Sequence, residues 1–343
     1  FGGGILSTRY GARRIITASM FLAGVATFAM GFTPSVEMAV ALQFLAGLAA
    51  GGCINPAVGL AAAWVEPSKR GVATGILIGG MPLGIQISSR LLPLILGSMG
   101  TGAWRYGWMA MGVLVVLMGV VSFLLIRDRP KETLGGAIGE GQSLAPGSPI
   151  NWGLAFKNRA VLLLCSLNFS IGLAGGIFAT FFVAYLVAQW GLTQSQASDA
   201  YGLVGLAGAA SGLLWGYISD VIGRRLGLAS DYYLFFVSLA ILTFVSLPGA
   251  EYAASFLGGL TLYGGMTVTV ALVGDAVGPR MVPAAFGLIS LAFNTGQMIS
   301  PALAGAITDA TGSFTPPLIM ATLFAFGAAS VCFWLPNSHR GAS

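Results

Sequence analysis

Arg90 is the side chain best placed to do chemistry in this chain. It lies inside an apolar run, residues 72–97, and a guanidinium at mid-depth in a bilayer costs at least about 2.5–3.5 kcal/mol. The chemistry it offers is capture of an anion. At about 1.5 Å per residue it lies roughly 27 Å beyond Val72, nearer the far end of the run. Gly75, Gly79, Pro82, Gln86 and Arg90 follow a three-to-four spacing, so they share one small or polar stripe of a helix. Two roles stand open. Arg90 snorkels outward and fixes the helix end, or it faces a watery cavity with Gln86 one turn away. The other polar groups within apolar runs are Gln43, Asn55, Asn168, Tyr185, Gln189, Tyr263, Asn294 and Gln297, each suited to bonding a neighbouring helix or a ligand. Asn294 and Gln297 are one turn apart and flanked by Gly296 and Pro301, which predicts a locally irregular helix facing a cavity. Carboxylates are sparse, with Asp199 near the outer end of its run and Asp231 near the cytoplasmic end of its own.

A second charged cluster is the turn Gly216-Tyr-Ile-Ser-Asp220-Val-Ile-Gly223-Arg224-Arg225. A copy opens the chain, Gly4-Ile-Leu-Ser7-Thr8-Arg9-Tyr-Gly11-Ala-Arg13-Arg14. An offset of 212 carries Gly4 to Gly216, Gly11 to Gly223 and Arg13 to Arg225, and also Gly47, Gly52, Ala73, Gly75, Gly84 and Gly100 to Gly259, Gly264, Ala285, Gly287, Gly296 and Gly312. A constant offset over about a hundred residues indicates an internal duplication.

The elements that must position these groups follow from composition. The chain has 343 residues, 56% hydrophobic and 8% charged, where a soluble domain carries roughly a quarter charged. It cannot cover a water-facing surface, so lipid is its solvent. Apolar runs fall at about 15–33, 37–64, 72–97, 105–126, 160–188, 197–218, 226–247, 252–274, 284–308 and 316–335. They are long enough for helices of about 20 residues and too long for barrel strands of about 10. This predicts ten spans in an all-α, polytopic membrane protein.

Alternating the spans puts Arg9, Arg13, Arg14, Lys69, Arg70, Arg127, Arg129, Lys131, Lys157, Arg159, Arg224, Arg225, Arg280 and Arg340 on one side, leaving Arg90 and Arg105 as exceptions. That side is cytoplasmic by the positive-inside rule. The net charge of +5 is thus a topology signal and not a nucleic-acid surface. Cys53, Cys165 and Cys332 sit in apolar runs without metal-like spacing, and the one histidine, His339, lies in the polar tail, so no metal or cofactor site is expected. No nucleotide-binding glycine loop ending in Lys-Ser or Lys-Thr occurs.

The repeated Gly-x-x-x-Asp-x-x-Gly-Arg-Arg turn resembles the signature loop of the major facilitator superfamily, and the resemblance covers the whole chain. Trp64-Val-Glu-Pro-Ser-Lys-Arg70-Gly71 is similar to that family's loop between its fourth and fifth helices, and Gly75-Ile-Leu-Ile-Gly79-Gly-Met-Pro82 to the glycine and proline pattern of its fifth. Asp275-Ala-Val-Gly-Pro-Arg280, Phe286-Gly287, the run Pro301 to Phe314 and Arg127-Asp-Arg-Pro-Lys-Glu most resemble the monocarboxylate and oxalate/formate porter branch. Four positions depart. Thr8 stands where the family has Asp, Gln43 where many members have Arg, and Gly208 and Gly212 where the branch carries an Asp and an Arg.

The resemblance implies two six-helix bundles, here without helix 1 and most of helix 2. They are expected at residues 1–130 and 159–336, joined by a cytoplasmic linker at 131–158 and followed by a tail at 337–343. It implies a multi-pass, monomeric carrier of the plasma or inner membrane, not an enzyme, with linker and C-terminus cytoplasmic. The carrier would move a small organic anion by alternating access, with protons or a counter-anion as coupling partners. Substrate-binding residues are expected among Arg90, Gln86, Asn55, Asn168, Tyr185, Tyr263, Asn294 and Gln297. Gly4, Thr8, Arg9, Gly11, Arg13, Gly216, Asp220, Gly223, Arg224 and Arg225 form the gating turns. Two alternatives remain open at this point. One is efflux of neutral or amphipathic compounds along an aromatic wall of Phe178, Phe181, Phe182 and Tyr185. The other is a membrane sensor that does not transport.

Overall fold

The computed structural model describes residues 10–64, 70–99, 102–127, 158–277 and 282–335, and every regular element among them is helical. In chain order they are α1 Ala12–Met30, α2 Val36–Trp64, α3 Arg70–Met99, α4 Ala103–Leu125, α5 Arg159–Trp190, α6 Gln194–Ile222, α7 Arg224–Phe244, α8 Ala250–Leu262, α9 Gly264–Val277, α10 Val282–Thr311 and α11 Thr315–Val331, closed by a 3₁₀ turn at Cys332–Trp334. Eight candidate spans are long and apolar enough to cross a membrane, α8 and α9 together making one. With α3 and α10, each of 30 residues, these match the ten runs expected. The linker at 131–157, the tail at 337–343 and Gly4, Thr8 and Arg9 of the first turn lie outside the described residues.

The duplication is visible in the helix bounds. Adding 212 to Arg70–Met99 returns Val282–Thr311, and adding it to the starts of α1 and α4 returns those of α7 and α11. The turn glycines repeat as well. Gly11 caps α1 at φ 87°, ψ 143°, and Gly223 caps α7 at φ 94°, ψ 148°. That region of backbone space is essentially confined to glycine. Gly223→Ala is therefore expected to destabilise the protein by about 1–3 kcal/mol. A lowered thermal-melting midpoint checks this, with Gly216→Ala, whose added methyl meets only an ordinary contact with Thr267, as the control.

The chain forms two compact units, Phe1–Ile78 with Leu91–Pro146, and Gly79–Arg90 with Gly147–Ser343. In the first, α1 packs on α2 and α4. Gly24 and Gly112 let the α1 and α4 backbones approach so closely that a Cβ at Gly112 would meet the Phe28 main chain. Small residues at such seams are what apolar surroundings favour, because dispersion and backbone proximity hold helices together where lipid removes the hydrophobic gain.

In the second unit α5 is the central post, packed on α10 and α11. The Asn158 side chain caps it, accepting from the amides of Ala160 and Val161 at 2.9 and 3.4 Å. Thr193 and Gln196 close a capping box that starts α6. One apolar cluster gathers Phe178, Phe182, Phe235, Leu239 and Leu242, and another Val161, Leu164, Trp215, Leu228, Tyr232 and Ile289. Gly172 and Gly176 of α5 and Gly296 of α10 bring those two helices into backbone contact.

Candidate functional site

The α5/α10 seam opens into a groove of about 340 Å³, lined by Gly176, Ala179 and Thr180 of α5 and by Asn294, Gln297 and Met298 of α10. Gly176 sets its floor, since a Cβ there would meet the Ser300 hydroxyl. Above the floor stand the Thr180 hydroxyl and the two amides. Asn294 donates one N–H to the Ser290 carbonyl at 2.7 Å, which fixes its rotamer and leaves its Oδ1 and second N–H for another partner. This is a neutral, hydrogen-bonding surface suited to hydroxyl and carboxylate oxygens. Asn294 and Gln297 are legible in the sequence as a polar pair, whereas Thr180 carries no such marking. The signal for it is the four-residue spacing Gly172, Gly176, Thr180, which shares one helical face.

The α3 stripe behaves differently from its expected exposure to a cavity. Pro82 packs on Gly205 and Gly208 of α6, and Gln86 and Ser89 on Gly202, while Gly79 faces the Ala209 carbonyl. The small and polar face of α3 is thus a helix–helix contact. Small side chains mark a close seam as readily as a cavity wall. Gln86 Oε1 is enclosed there without a hydrogen-bond partner among the described residues. At the end of the stripe, an Arg90 guanidinium nitrogen meets Asp199 Oδ1 of α6 at 3.1 Å. Both are partly solvated, Arg90 with 64% of its side chain exposed.

Other expected site residues are elsewhere. Tyr185 is buried in the apolar cluster with Phe178 and Phe182, whose rings meet edge to face at 5.0 Å between centroids. Phe181 packs on Phe314. The aromatic wall is therefore largely core, because the α5 face carrying it turns toward α6 and α7. Asn168 is buried and donates to the Leu164 carbonyl of its own helix at 2.9 Å, so its amide does not open on the groove. Tyr263 is half-buried at the break between α8 and α9, its ring against the space at Gly208. The Asn55 side chain lies outside the described residues. Among those described, no three of His, Cys, Asp and Glu come together as a metal would require.

The Major Facilitator Superfamily sequence model matches residues 1–181 and 164–343. The chain belongs to the Major Facilitator Superfamily. It is 26% identical to the hexuronate transporter of Bacillus subtilis (strain 168), covering 94% of this chain and 78% of that one. It is 25% identical to the probable sulfoacetate transporter of Cupriavidus necator over 97% of this chain and 81% of that one. It is 26% identical to the oxalate:formate antiporter of Oxalobacter formigenes over 99% and 79%. A crystal structure of a bacterial homolog of the human lysosomal transporter Spinster, inward-facing and unoccupied, shares the fold at TM-score 0.75 and 15% identity, covering 97% of this chain and 84% of that one. This protein is thus a multi-pass membrane transporter and not an enzyme.

Among the described residues, an equivalent arginine anchors the superfamily turn in each repeat. Arg13 donates Nε and a terminal nitrogen to the Phe123 carbonyl at 2.9 and 2.6 Å and lies 4.4 Å over that ring. Its counterpart Arg225 lies 5.8 Å from the Phe333 ring centroid. These two equivalent arginines therefore tie the turn to α4 in the first repeat and to the 3₁₀ turn after α11 in the second. Arg224 pairs with Asp220 at 2.5 Å and donates to Ser219 Oγ at 2.7 Å, so these charges are satisfied inside the turn. The branch's Asp and Arg at 208 and 212 have a steric reason to be absent at the first position. A Cβ on Gly208 would fall 2.9 Å from Pro82 and 3.1 Å from the Tyr263 ring.

Proposed function

We propose that this transporter carries small organic anions, hydroxylated monocarboxylates of uronate size among them, by alternating access in the plasma membrane, with its linker and C-terminus cytoplasmic. The observation that carries the substrate class is the groove in which Thr180, Asn294 and Gln297 face one space between α5 and α10. A hydroxyl and two amides match the hydroxyls and carboxylate of such an anion. The relatives named for hexuronate, sulfoacetate and oxalate/formate point to the same class. Arg90, at the far end of α3, supplies positive charge that Asp199 neutralises when no anion is present. The turns at Gly11–Arg13 and Gly216–Arg225 act as gates that hold one side closed.

The test is counterflow of [14C]glucuronate and [14C]oxalate in liposomes containing the protein. Saturable exchange is expected, competed by unlabelled carboxylates and not by neutral hexoses. Removing both amides, Asn294→Ala with Gln297→Ala, deletes hydrogen bonds worth about 1–1.5 kcal/mol each. KM is then expected to rise roughly 30–150-fold. Equal competition by neutral hexoses overturns the anion assignment, and an unchanged KM in the double variant removes the groove from the binding site.

A further inference from the structure

Asp231 is wholly enclosed, with no exposure to solvent. It sits on α7 about 10 Å from the start of that helix, at ~1.5 Å per residue, closer to the helix middle than to the cytoplasmic end where the apolar run had suggested it. One carboxyl oxygen occupies the space that the missing Cβ of Gly265 leaves at the start of α9, and the other lies with the Trp215 ring in the space left at Gly264. They face the Gly265 amide yet reach no partner at hydrogen-bonding geometry among the described residues. A buried ionised carboxylate with neither a counter-charge nor hydrogen bonds is among the most unfavourable arrangements a protein holds.

The first repeat shows that packing alone does not ask for an acid here. The offset of 212 carries Ser19 to Asp231 and Gly52 to Gly264. Ser19 faces Gly52 as Asp231 faces Gly264, in the space its Cβ would fill. In that repeat the helix is continuous, Val36–Trp64, whereas the second repeat interrupts the equivalent helix at Tyr263. The acid and the break occur together, on one side of the duplication only.

The surroundings hold few charges. Tyr232 lies beside Asp231 on α7, and Cys332 approaches from the 3₁₀ turn. Arg225, at the start of α7, is directed toward Phe333 and Cys332. From α6 comes Trp215, whose indole N–H is already given to the Leu260 carbonyl at 2.8 Å. From α9 come the two glycines, and α11 has no titratable residue in its sequence.

We propose that Asp231 is a proton-binding site of the carrier, enclosed by the Gly264–Gly265 break and opened to water when that break moves. This rests on the anion-carrier reading for its role in coupling. A proton leaves water and forms an O–H bond to a carboxyl oxygen, neutralising it while enclosed. On opening, that bond breaks and the proton returns to water on the other side. One proton moving with one monoanion leaves the cycle electroneutral.

The test uses Asp231→Ser, the first repeat's own residue at this position, and Asp231→Glu. In purified, reconstituted protein, infrared difference spectra between acidic and alkaline buffer read the carbonyl stretch of a neutral carboxylic acid. The Ser variant is expected to lose one such band. In liposomes with an imposed pH gradient, accumulation of [14C]glucuronate is expected to fall at least 10-fold in the Ser variant and to return in the Glu variant. Exchange of glucuronate at equal pH persists in both. Persistence of the band in the Ser variant overturns the proposal, as does its loss with accumulation unchanged. If the native protein neither exchanges nor accumulates glucuronate or oxalate, it is the anion reading that fails. The band alone then decides the proton site, its loss in the Ser variant supporting it and its persistence overturning it.

Discussion

Replacing Gly172 by leucine is expected to remove the folded transporter from the membrane, lowering the yield of monodisperse protein more than 10-fold by fluorescence-detected size exclusion. The side chain added at 172 would run into the Phe293 carbonyl of α10. The same seam is closed by Gly296 against the Phe169 carbonyl and by Gly176 against Ser300. Overpacking a core that can shift costs about 1–3 kcal/mol. Here the obstacle is the main chain of a neighbouring helix, held along the contact by three glycines, so the upper end of that range is a minimum. Total stabilities are only about 5–15 kcal/mol. Gly305→Leu, on the same α10 but at a position where an added Cβ meets nothing within 4 Å, is the control and is expected to express normally. Equal yields of the two variants would show that the α5/α10 seam yields readily.

Arg90→Gln is expected to abolish anion uptake, by at least 10-fold, while leaving yield and melting temperature unchanged. The pair with Asp199 at 3.1 Å is partly solvated on both sides, and such pairs contribute about 0–1 kcal/mol to stability. A loss of transport therefore does not trace to unfolding. The exchanged pair, Arg90→Asp with Asp199→Arg, separates the two roles open to Arg90. If the guanidinium meets the anion from α3, moving it to α6 does not restore uptake, and that is the expected result. Recovery to more than half of native flux would assign Arg90 to a contact between α3 and α6 alone.

The organisation of the chain was legible because it rests on properties that each segment carries by itself. Run length and composition placed ten helices. The offset of 212 that aligned glycines also aligns α3 with α10 and α1 with α7. Gly11 and Gly223 were legible as turn residues, and their shared positive φ is a backbone demand that glycine meets at no steric cost. Asn294 and Gln297, one turn apart beside Gly296, were legible as a polar pair and do line the groove.

What only the tertiary structure decided is which way each helix turns. Gly79, Pro82 and Gln86 read as a cavity wall and are a seam against α6. Tyr185, Phe178 and Phe182 read as a binding wall and are core. Asp231 read as a residue near a helix end and is sealed against a helix break. In a soluble protein, polar and apolar faces would have settled these orientations in advance. In lipid the outside of the bundle is as apolar as its inside, so periodicity identifies a face but not its neighbour. That neighbour is set by where glycines let one backbone reach another, and only the folded arrangement pairs Gly172 with Phe293 and Gly264 with Asp231.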